Sequence, residues 1–175
     1  MFLQDLRKNP TSESVEEAQR IASEAQEELR RISLNLHPQV LNDFGLKRAL
    51  EWRIQRFSEH AGINVDFVCP EISRDSITPQ VGITAYRIVQ EALTNIAKHS
   101  GASKASVKIQ LDGDSLRLVI RDSGKGFTPD QITGGLSSGL RGMKDRAELE
   151  AGTFEIVSSP GKGAQINVSL PVKKS

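Results

Sequence analysis

Residues 78–122 read TPQVGITAYRIVQEALTNIAKHSGASKASVKIQLDGDSLRLVIRD, and this stretch decides the fold because its apolar periodicity changes halfway along. Thr78-Pro79 predicts the start of a helix, since proline is favoured at the first helical position. The apolar residues that follow recur at helical spacing and predict a helix that runs to about His99. Gly101 can cap the end of that helix.

The second half of the stretch predicts two strands. Apolar and polar residues alternate over 107–111 and again over 116–120, which is the period of a half-buried strand. Asp112-Gly113, between the two runs, is typical of a hairpin turn. We therefore expect these strands to pair in antiparallel fashion.

The flanking sequence predicts three further strands. Alternation over 63–69 indicates one strand before the helix, and Phe154 and Ile156 lie on one face of another. Residues 160–163, Pro-Gly-Lys-Gly, turn the chain into a last alternating strand over 166–170. The resulting order, β-α-β-β-loop-α-β-β, predicts an α+β fold: a two-layer α/β sandwich in which helices cover one mixed sheet.

The N-terminal part of the chain has a different pattern. From Val15 to Leu36 the apolar residues recur in alternating steps of three and four, the seam of a heptad, and Pro38 ends this predicted long helix. The alanine-rich heptads bury little area, so this helix is expected to need helical partners. A second helix is expected from about Leu46 to His60, with His60 exposed at its end and Gly62 after it.

Composition excludes several classes of function. The chain has 175 residues, and its 23 Lys+Arg against 22 Asp+Glu leave a net charge of +1, so nucleic acid is not an expected partner. The single cysteine, Cys69, excludes an internal disulfide and a multi-cysteine zinc site. No apolar run approaches the roughly 18 residues that cross a bilayer. We expect a cytoplasmic location, with any membrane attachment made by segments outside this chain.

Three polar groups of residues are candidates for a binding site. Glu91, Asn95 and His99 are spaced i, i+4 and i+8, so they share one face of the helix predicted from Thr78 to about His99. That spacing could serve a hydrated metal and a phosphate chain, although a polar stripe is also the ordinary exposed face of a surface helix.

The second candidate is Arg121-Asp122-Ser123-Gly124-Lys125-Gly126-Phe127, directly after a strand. Asp122 can accept a hydrogen bond from an exocyclic amine, and Gly124 and Gly126 would let the backbone approach a planar base. An ordinary strand-ending turn is the plain alternative.

The third candidate is the glycine-rich run 134–143, which leads into a helix whose free N–H groups would receive phosphate oxygens. Arg141 and Lys144 add positive charge there. A solvated loop is the plain alternative, since the run lacks the Lys-Ser/Thr ending of a P-loop.

Four segments in this order closely resemble the ATP-binding catalytic domain of bacterial sensor histidine kinases, of the GHKL superfamily: RIVQEALTNIAKHS (87–100), RDSGKGF (121–127), SSGLRGMKDRAELEAG (137–152) and SPGKGAQINVSLP (159–171). LRRISLNLHPQVLNDFGLKRALEW (29–52) resembles the second dimerisation helix and linker of the subclass that signals to helix-turn-helix response regulators. The resemblance covers essentially the whole chain. It implies the Bergerat-type ATPase fold, a partial dimerisation domain over 1–42, and a linker helix and ATP-binding domain over 43–175.

The resemblance also implies roles for individual residues. Asn95 would ligate Mg²⁺, Glu91 would be the base that polarises the incoming nucleophile, and Lys98 and His99 would lie near the phosphates. Asp122 would bind the adenine amino group. Residues that shape the pocket or form the hinge of a lid over the phosphates would be Gly124, Gly126, Ser137, Ser138, Gly139, Leu140, Arg141, Gly142, Met143, Gly163 and Ala164.

The sequence departs from the family pattern in two places. Ala164 stands where a threonine often follows the glycine, so one hydroxyl near the base is missing. The His-Asp segment that should carry the phosphoacceptor does not occur, and His37 resembles the far end of the second dimerisation helix instead. We therefore expect the acceptor histidine to lie outside this chain.

The expected function is the ATP-binding catalytic part of a two-component kinase, which would use Mg-ATP to phosphorylate a histidine. The phosphoryl group would pass to a response regulator, and the full-length protein would form a homodimer through its N-terminal helices. The chain alone is expected to be poorly active, because the positioned nucleophile is missing. The alternative is a regulatory ATP-binding module that acts by docking, like anti-sigma factors of the same superfamily. A chaperone- or mismatch-repair-type ATPase would need a second domain for which the chain is too short.

Overall fold

The computed structural model describes Arg20, residues 39–128 and residues 138–172. The chain divides into two compact units, Met1–Gln39 and Val40–Ser175. In the first unit Arg20 and Gln39 are helical. Apart from Arg20, the predicted heptad helix over 15–36 falls outside the described residues, as do His37 and Ser137. The predicted domain boundary at 42/43 stays a prediction.

The described part of the second unit contains three helices and five strands. The helices are α1 (Gln39–Ala61), α2 (Pro79–Asn95) and α3 (Ser138–Leu149). The strands are β1 (Asn64–Val68), β2 (Lys104–Asp112), β3 (Ser115–Asp122), β4 (Thr153–Ser158) and β5 (Ala164–Pro171). A short 3₁₀ turn, Arg74–Ser76, precedes α2, and a π-helical turn, Ile96–Ser100, continues it.

Helix α1 is two helical pieces joined by a kink at Gly45, whose φ is 81°. The regular helix that follows corresponds to the predicted one over 46–60. A ring nitrogen of the exposed His60 lies 2.7 Å from the Arg56 carbonyl oxygen, and Gly62 N–H donates to the Ser58 carbonyl at 3.0 Å. The predicted helix end and the exposed position of His60 are thus confirmed.

The five strands form one sheet in the order β1-β2-β3-β5-β4. β1 runs parallel to β2, and the other three pairs are antiparallel, so the predicted mixed sheet is confirmed. Gly113, at φ 58°, forms the tight turn between β2 and β3, where Asp112 pairs with Ser115. This left-handed backbone is what a two-residue hairpin loop requires.

One face of the sheet is buried under helices, which makes the predicted two-layer sandwich. The buried strand residues alternate with polar ones and are Val107, Ile109, Leu116, Leu118, Ile120, Ile166, Val168 and Leu170. They share a core with buried residues of α2 and α3: Ile88, Val89, Ala92, Leu93, Met143 and Ala147. Burying each large aliphatic side chain contributes about 1.5–3 kcal/mol, so this face holds the helices in place.

Helix α2 begins as predicted. The Thr78 hydroxyl accepts a hydrogen bond from Val81 N–H at 3.2 Å, and Pro79 follows at the first position. At the other end, Ser100 closes the π-helical turn by donating to the Ile96 carbonyl at 2.7 Å. Gly101, at φ 65°, then turns the chain toward β2. The wider final turn changes which residues after Asn95 face the same side.

Within the described ranges, no helix is both long enough and apolar enough to cross a bilayer.

The thiol of Cys69 is expected to react slowly. Burial raises the pKa of Cys69 to about 11, although the nearby Lys47 opposes the shift. Because the thiolate is the reactive form, alkylation at pH 8.5 should be about 100-fold slower than for a free cysteine of ordinary pKa. Rates measured with iodoacetamide should keep rising about tenfold per pH unit to pH 10. A plateau near pH 9 would contradict the burial of this thiol.

Candidate functional site

A cavity of about 340 Å³ lies between the end of α2, the carboxyl end of β3 and the first turn of α3. Its volume is at the lower end of the range for small-molecule sites. The lining residues come from helix ends, the sheet and the loop after β3: Ala92, Asn95, Ile96, His99, Ser100, Ile120, Asp122, Gly126, Phe127, Leu140, Ile156, Ala164 and Ile166.

The walls of the cavity are largely apolar, and its polar side chains are few: Asn95, His99, Ser100 and Asp122. An apolar slot with a few placed polar groups suits a flat ligand part whose orientation is set by hydrogen bonds.

Asp122 ends β3 and is only 8% exposed. Its Oδ1 accepts a hydrogen bond from Gly124 N–H at 2.7 Å. A carboxylate has about four acceptor positions, so this one bond leaves capacity for a donor inside the cavity. A buried carboxylate next to apolar walls can therefore bind an amino group of a ligand.

Glycines behind Asp122 allow very close backbone packing. A Cβ on Gly124 would lie 2.7 Å from Asp122 Oδ1 and would strike the Ser100 carbonyl oxygen. A Cβ on Gly163 would strike the Asp122 carbonyl oxygen. At Gly126, which lines the cavity, a Cβ would strike the Ser159 carbonyl oxygen. Gly124 and Gly163 thus position the carboxylate by close backbone packing. Gly126 lines the cavity, whereas Gly124 does not, and the approach of either glycine to a ligand stays a prediction.

Gly163→Ala is expected to destabilise the protein strongly, since the residue has φ 73° and its Cβ would meet backbone. Left-handed strain of about 1–2 kcal/mol and overpacking of about 1–3 kcal/mol should together lower Tm by about 5–15 °C.

Gly161→Ala is the matched control, because Gly161 has φ 76° but nothing within 4 Å of a Cβ. It should lose only the strain contribution, about 2–6 °C in Tm by thermal unfolding. Equal losses in the two variants would show that the packing behind Asp122 is not tight.

The loop after β3 is tied to the structure on two sides. Lys125 N–H donates to the Ser100 carbonyl at 2.9 Å, and Gly161 N–H donates to the Lys125 carbonyl at 2.7 Å. Phe127 N–H donates to the Ser158 hydroxyl at 3.0 Å. These bonds hold Phe127 at the cavity wall and make the loop part of a fixed frame around Asp122.

Asn95 and Glu91 lie where α2 meets the first turn of α3. The side-chain nitrogen of Asn95 is buried without a hydrogen-bond partner, one of three such atoms in the described part of the chain. Glu91 does not line the cavity itself. Its carboxylate is placed so that a Cβ on Gly139 would strike Oε1 and lie 3.2 Å from Cδ. An unsatisfied amide beside a carboxylate is a polar pair open to a ligand.

Three of the other predicted site residues line the cavity, and the rest do not. His99, Leu140 and Ala164 line the cavity, whereas Gly163 is buried behind Asp122. Lys98, Ser138 and Arg141 are exposed, Gly142 is partly buried, and none of these four lines the cavity.

The predicted lid hinge is helical wherever it is described. Residues 138–143 form the first turns of α3, and Met143 has no exposed surface. Met143 therefore packs in the core and does not reach the cavity. The reason is helical spacing: Leu140, Met143 and Ala147 share the buried face of α3.

Ser100 and Phe127 line the cavity but were not among the predicted site residues. Of the aliphatic wall residues, only Leu140 and Ala164 were predicted. Phe127 is the last residue of the motif 121–127 that contains Asp122, so its place in that motif could have indicated that it lines the site. Ser100 follows Ile96 by four residues and Ala92 by eight, and both of these line the cavity, so helical spacing was a usable indication for it as well.

Among the described residues, no group of three or more His, Cys, Asp or Glu side chains could hold a metal ion by itself. Mg²⁺ commonly takes only one or two protein oxygens and completes its shell with water and phosphates. The Asn95 carboxamide at the cavity, with Glu91 one helical turn away, fits such a partly protein-bound ion.

The fold and cavity define a class of protein. Residues 80–174 match the family described as "Histidine kinase-, DNA gyrase B-, and HSP90-like ATPase". The match covers more than half of the chain, so the chain belongs to this family, and the resemblance to it in the sequence is confirmed.

Within that family the chain is similar to sensor histidine kinases. It is 38% identical over 162 residues to the sensor histidine kinase LiaS of Bacillus subtilis, covering 93% of this chain and 44% of LiaS. It is 40% identical over 146 residues to the signal transduction histidine-protein kinase/phosphatase DegS of Brevibacillus brevis, covering 83% and 37%. The chain therefore spans less than half the length of these relatives.

The fold is also that of solved histidine kinases. The histidine kinase domain of the blue-light activated kinase from Erythrobacter litoralis EL346 superposes with a TM-score of 0.63 at 17% identity, over 73% of this chain and 61% of that one. At that identity the likeness shows the fold, and it confirms the α+β sandwich with a mixed sheet.

Proposed function

We propose that this chain binds ATP in the cavity and is the catalytic part of a histidine kinase, which transfers the γ-phosphate to a histidine. The observation that carries the proposal is that Asn95 and Asp122, 27 positions apart in sequence, line one cavity of ligand size. Family membership and similarity to LiaS and DegS support it.

At one end of the cavity Asp122 would accept a hydrogen bond from the amino group of adenine. Ile120, Ile156 and Phe127 contribute apolar wall to the same cavity, which suits the flat faces of a base. Ala164 places a methyl group where related proteins often have a threonine, so recognition of the base would depend more heavily on Asp122.

At the other end Asn95 and His99 would face the phosphates, and Lys98, exposed beside them, would add positive charge. The first turn of α3, with Ser138 and Arg141, adjoins Leu140 at the cavity rim. The positive end of the helix dipole would favour negative charge there.

Mg²⁺, held by the Asn95 side-chain oxygen, would supply the charge that neutralises phosphate oxygens during phosphoryl transfer. Glu91, one turn before Asn95 and beside Gly139, would accept a proton from the incoming nucleophile or polarise it. None of the ion pairs within the described part of the chain involves this carboxylate.

The wider setting follows from the resemblance to sensor kinases. The acceptor histidine would belong to a dimerisation helix outside this chain, and the phosphoryl group would pass to a response regulator, of the helix-turn-helix subclass by the pattern of 29–52. Residues 1–42 would contribute to a homodimer and 43–175 to the ATP-binding domain. The protein would act in the cytoplasm. The relatives described above are histidine kinases, so the regulatory docking module has no observation in its favour.

Label transfer tests the proposal. The chain is incubated with Mg²⁺ and ATP labelled at either the γ- or the α-phosphate, together with a supplied dimerisation helix that carries an acceptor histidine. We expect acid-labile label on that helix from γ-labelled ATP only. Absence of label with both nucleotides, while the nucleotide is bound, would overturn the kinase assignment.

A further inference from the structure

Gly139, in the first turn of α3, lies against the two residues of α2 that the proposed function uses. A Cβ built at this position would strike Glu91 Oε1, lie 3.2 Å from Glu91 Cδ and lie 3.4 Å from the Asn95 side-chain nitrogen. The contact to Asn95 is ordinary van der Waals contact, whereas the contact to the Glu91 carboxylate leaves no room for a methyl group.

The backbone at Gly139 does not itself require glycine. The glycines with positive φ are other residues, and Gly139 is part of the regular helix α3. Glycine within a helix costs about 0.5–1 kcal/mol relative to alanine, so its presence needs another reason. In the structure, the Glu91 carboxylate occupies the space that a side chain at position 139 would need, and this accounts for the glycine.

The atom that a methyl group at 139 would meet is the far end of a flexible side chain. Glu91 is partly exposed, so its carboxylate can rotate away at little cost in stability. A larger residue at 139 would therefore leave the fold intact and move the carboxylate. Asn95, at 3.4 Å, would keep its place.

We propose that Gly139 is a positioning residue for phosphoryl transfer. Because it has no side chain, it leaves the space in which the Glu91 carboxylate lies beside Asn95. This inference rests on the proposed function for its consequence in catalysis, but the contact itself stands apart from that function. Helix α3 thus sets the geometry of the base on α2, in addition to contributing Leu140 to the cavity.

Gly139→Ala is the direct test, and Glu148→Ala is its control. Glu148 lies in the same helix, is exposed, and has only a weakly placed partner, Lys144, at 3.7 Å. We expect Gly139→Ala to keep the affinity for Mg-ATP within about threefold and to slow label transfer by about 100-fold, the effect of a misplacement of about 1 Å. Glu148→Ala should leave both unchanged.

Combining Gly139→Ala with Glu91→Ala separates action through the carboxylate from a general effect on α3. If Gly139 acts through Glu91, the double variant transfers label no more slowly than Glu91→Ala alone. Additive losses in the double variant would overturn the inference.

A measurement that needs no activity decides the contact independently. In ¹³C-labelled protein, Gly139→Ala should shift the Glu91 carboxyl resonance and leave the melting temperature within about 3 °C, while Glu148→Ala leaves that resonance in place. An unmoved Glu91 resonance in Gly139→Ala overturns the inference even if the kinase assignment holds. A moved resonance in a chain that transfers no phosphate supports the contact and counts against the proposed function.

Discussion

Replacing Asp122 by asparagine is expected to weaken ATP binding by about 10- to 100-fold while the fold stays intact. Asparagine keeps a side-chain oxygen at Oδ1, so the 2.7 Å bond from Gly124 N–H can persist. It also brings an NH₂ group, a donor, toward the adenine amino group, which is itself a donor. A lost hydrogen bond to a charged acceptor and an unpaired buried donor together account for about 1.5–3 kcal/mol. Titration calorimetry measures the affinity.

A change of nucleotide provides the control for this variant. Inosine triphosphate carries a carbonyl oxygen where ATP carries the amino group, so it should bind wild-type protein poorly. The NH₂ group of Asp122→Asn can donate to that oxygen, and the preference for ATP should shrink or reverse. Asp122→Ala should lose affinity for both nucleotides. Unchanged ATP affinity in Asp122→Ala would remove the adenine assignment.

Replacing Glu91 by glutamine is expected to slow phosphoryl transfer strongly without affecting nucleotide binding. Glutamine has nearly the same shape, so the packing against Gly139 remains, but the side chain can no longer accept a proton. General acid–base catalysis contributes about 10²–10⁴-fold, and transfer of label to the supplied histidine should fall by that factor. Affinity for Mg-ATP, by calorimetry, should stay within about threefold. Glu91→Ala should behave in the same way.

Glu148→Gln is the control, since Glu148 is an exposed residue of α3 with a weakly placed partner, Lys144, at 3.7 Å. An exposed pair of this kind contributes little to stability, so this variant should bind and transfer like wild type. Full transfer by Glu91→Gln would exclude Glu91 as the base and leave the role to another group.

The fold could be predicted from sequence because its determinants are local. Strict alternation fixed the faces of β2, β3 and β5, and Thr78-Pro79 fixed the start of α2. The order β1-β2-β3-β5-β4 could not be predicted in the same way. It depends on which strand edges meet after the helices pack, and that is decided by contacts between residues far apart in sequence.

Part of the polar lining could also be predicted, since an amide and an imidazole at helical spacing stand out against an apolar helix and Asp122 directly ends a strand. Asn95, His99 and Asp122 line the cavity, whereas Glu91 of the same helical stripe does not. Most of the apolar wall could not be predicted, because in the sequence Ile120 and Ile166 cannot be distinguished from ordinary core residues. Ser100 was missed because it lies on the face of Ala92 and Ile96, which in sequence looks like the apolar core face of the helix.

The roles of the glycines could not be predicted from sequence either. Sequence shows that Gly124, Gly139 and Gly163 lack a side chain, but not what stands where that side chain would be. The structure places backbone of Ser100 and Asp122 against two of them and the Glu91 carboxylate against the third. Their roles therefore follow only from three-dimensional neighbours.

Binding of Mg-ATP to the cavity is the central claim, and an NMR titration of isotopically labelled wild-type chain tests it most directly. We expect saturable binding of one nucleotide, with the largest shifts at the Asn95 side-chain amide and the Gly124 and Gly126 backbone amides. The resonances of strand residues whose side chains point to the opposite, polar face of the sheet should not shift. Absence of binding at millimolar nucleotide, or shifts confined to that opposite face, would contradict the account.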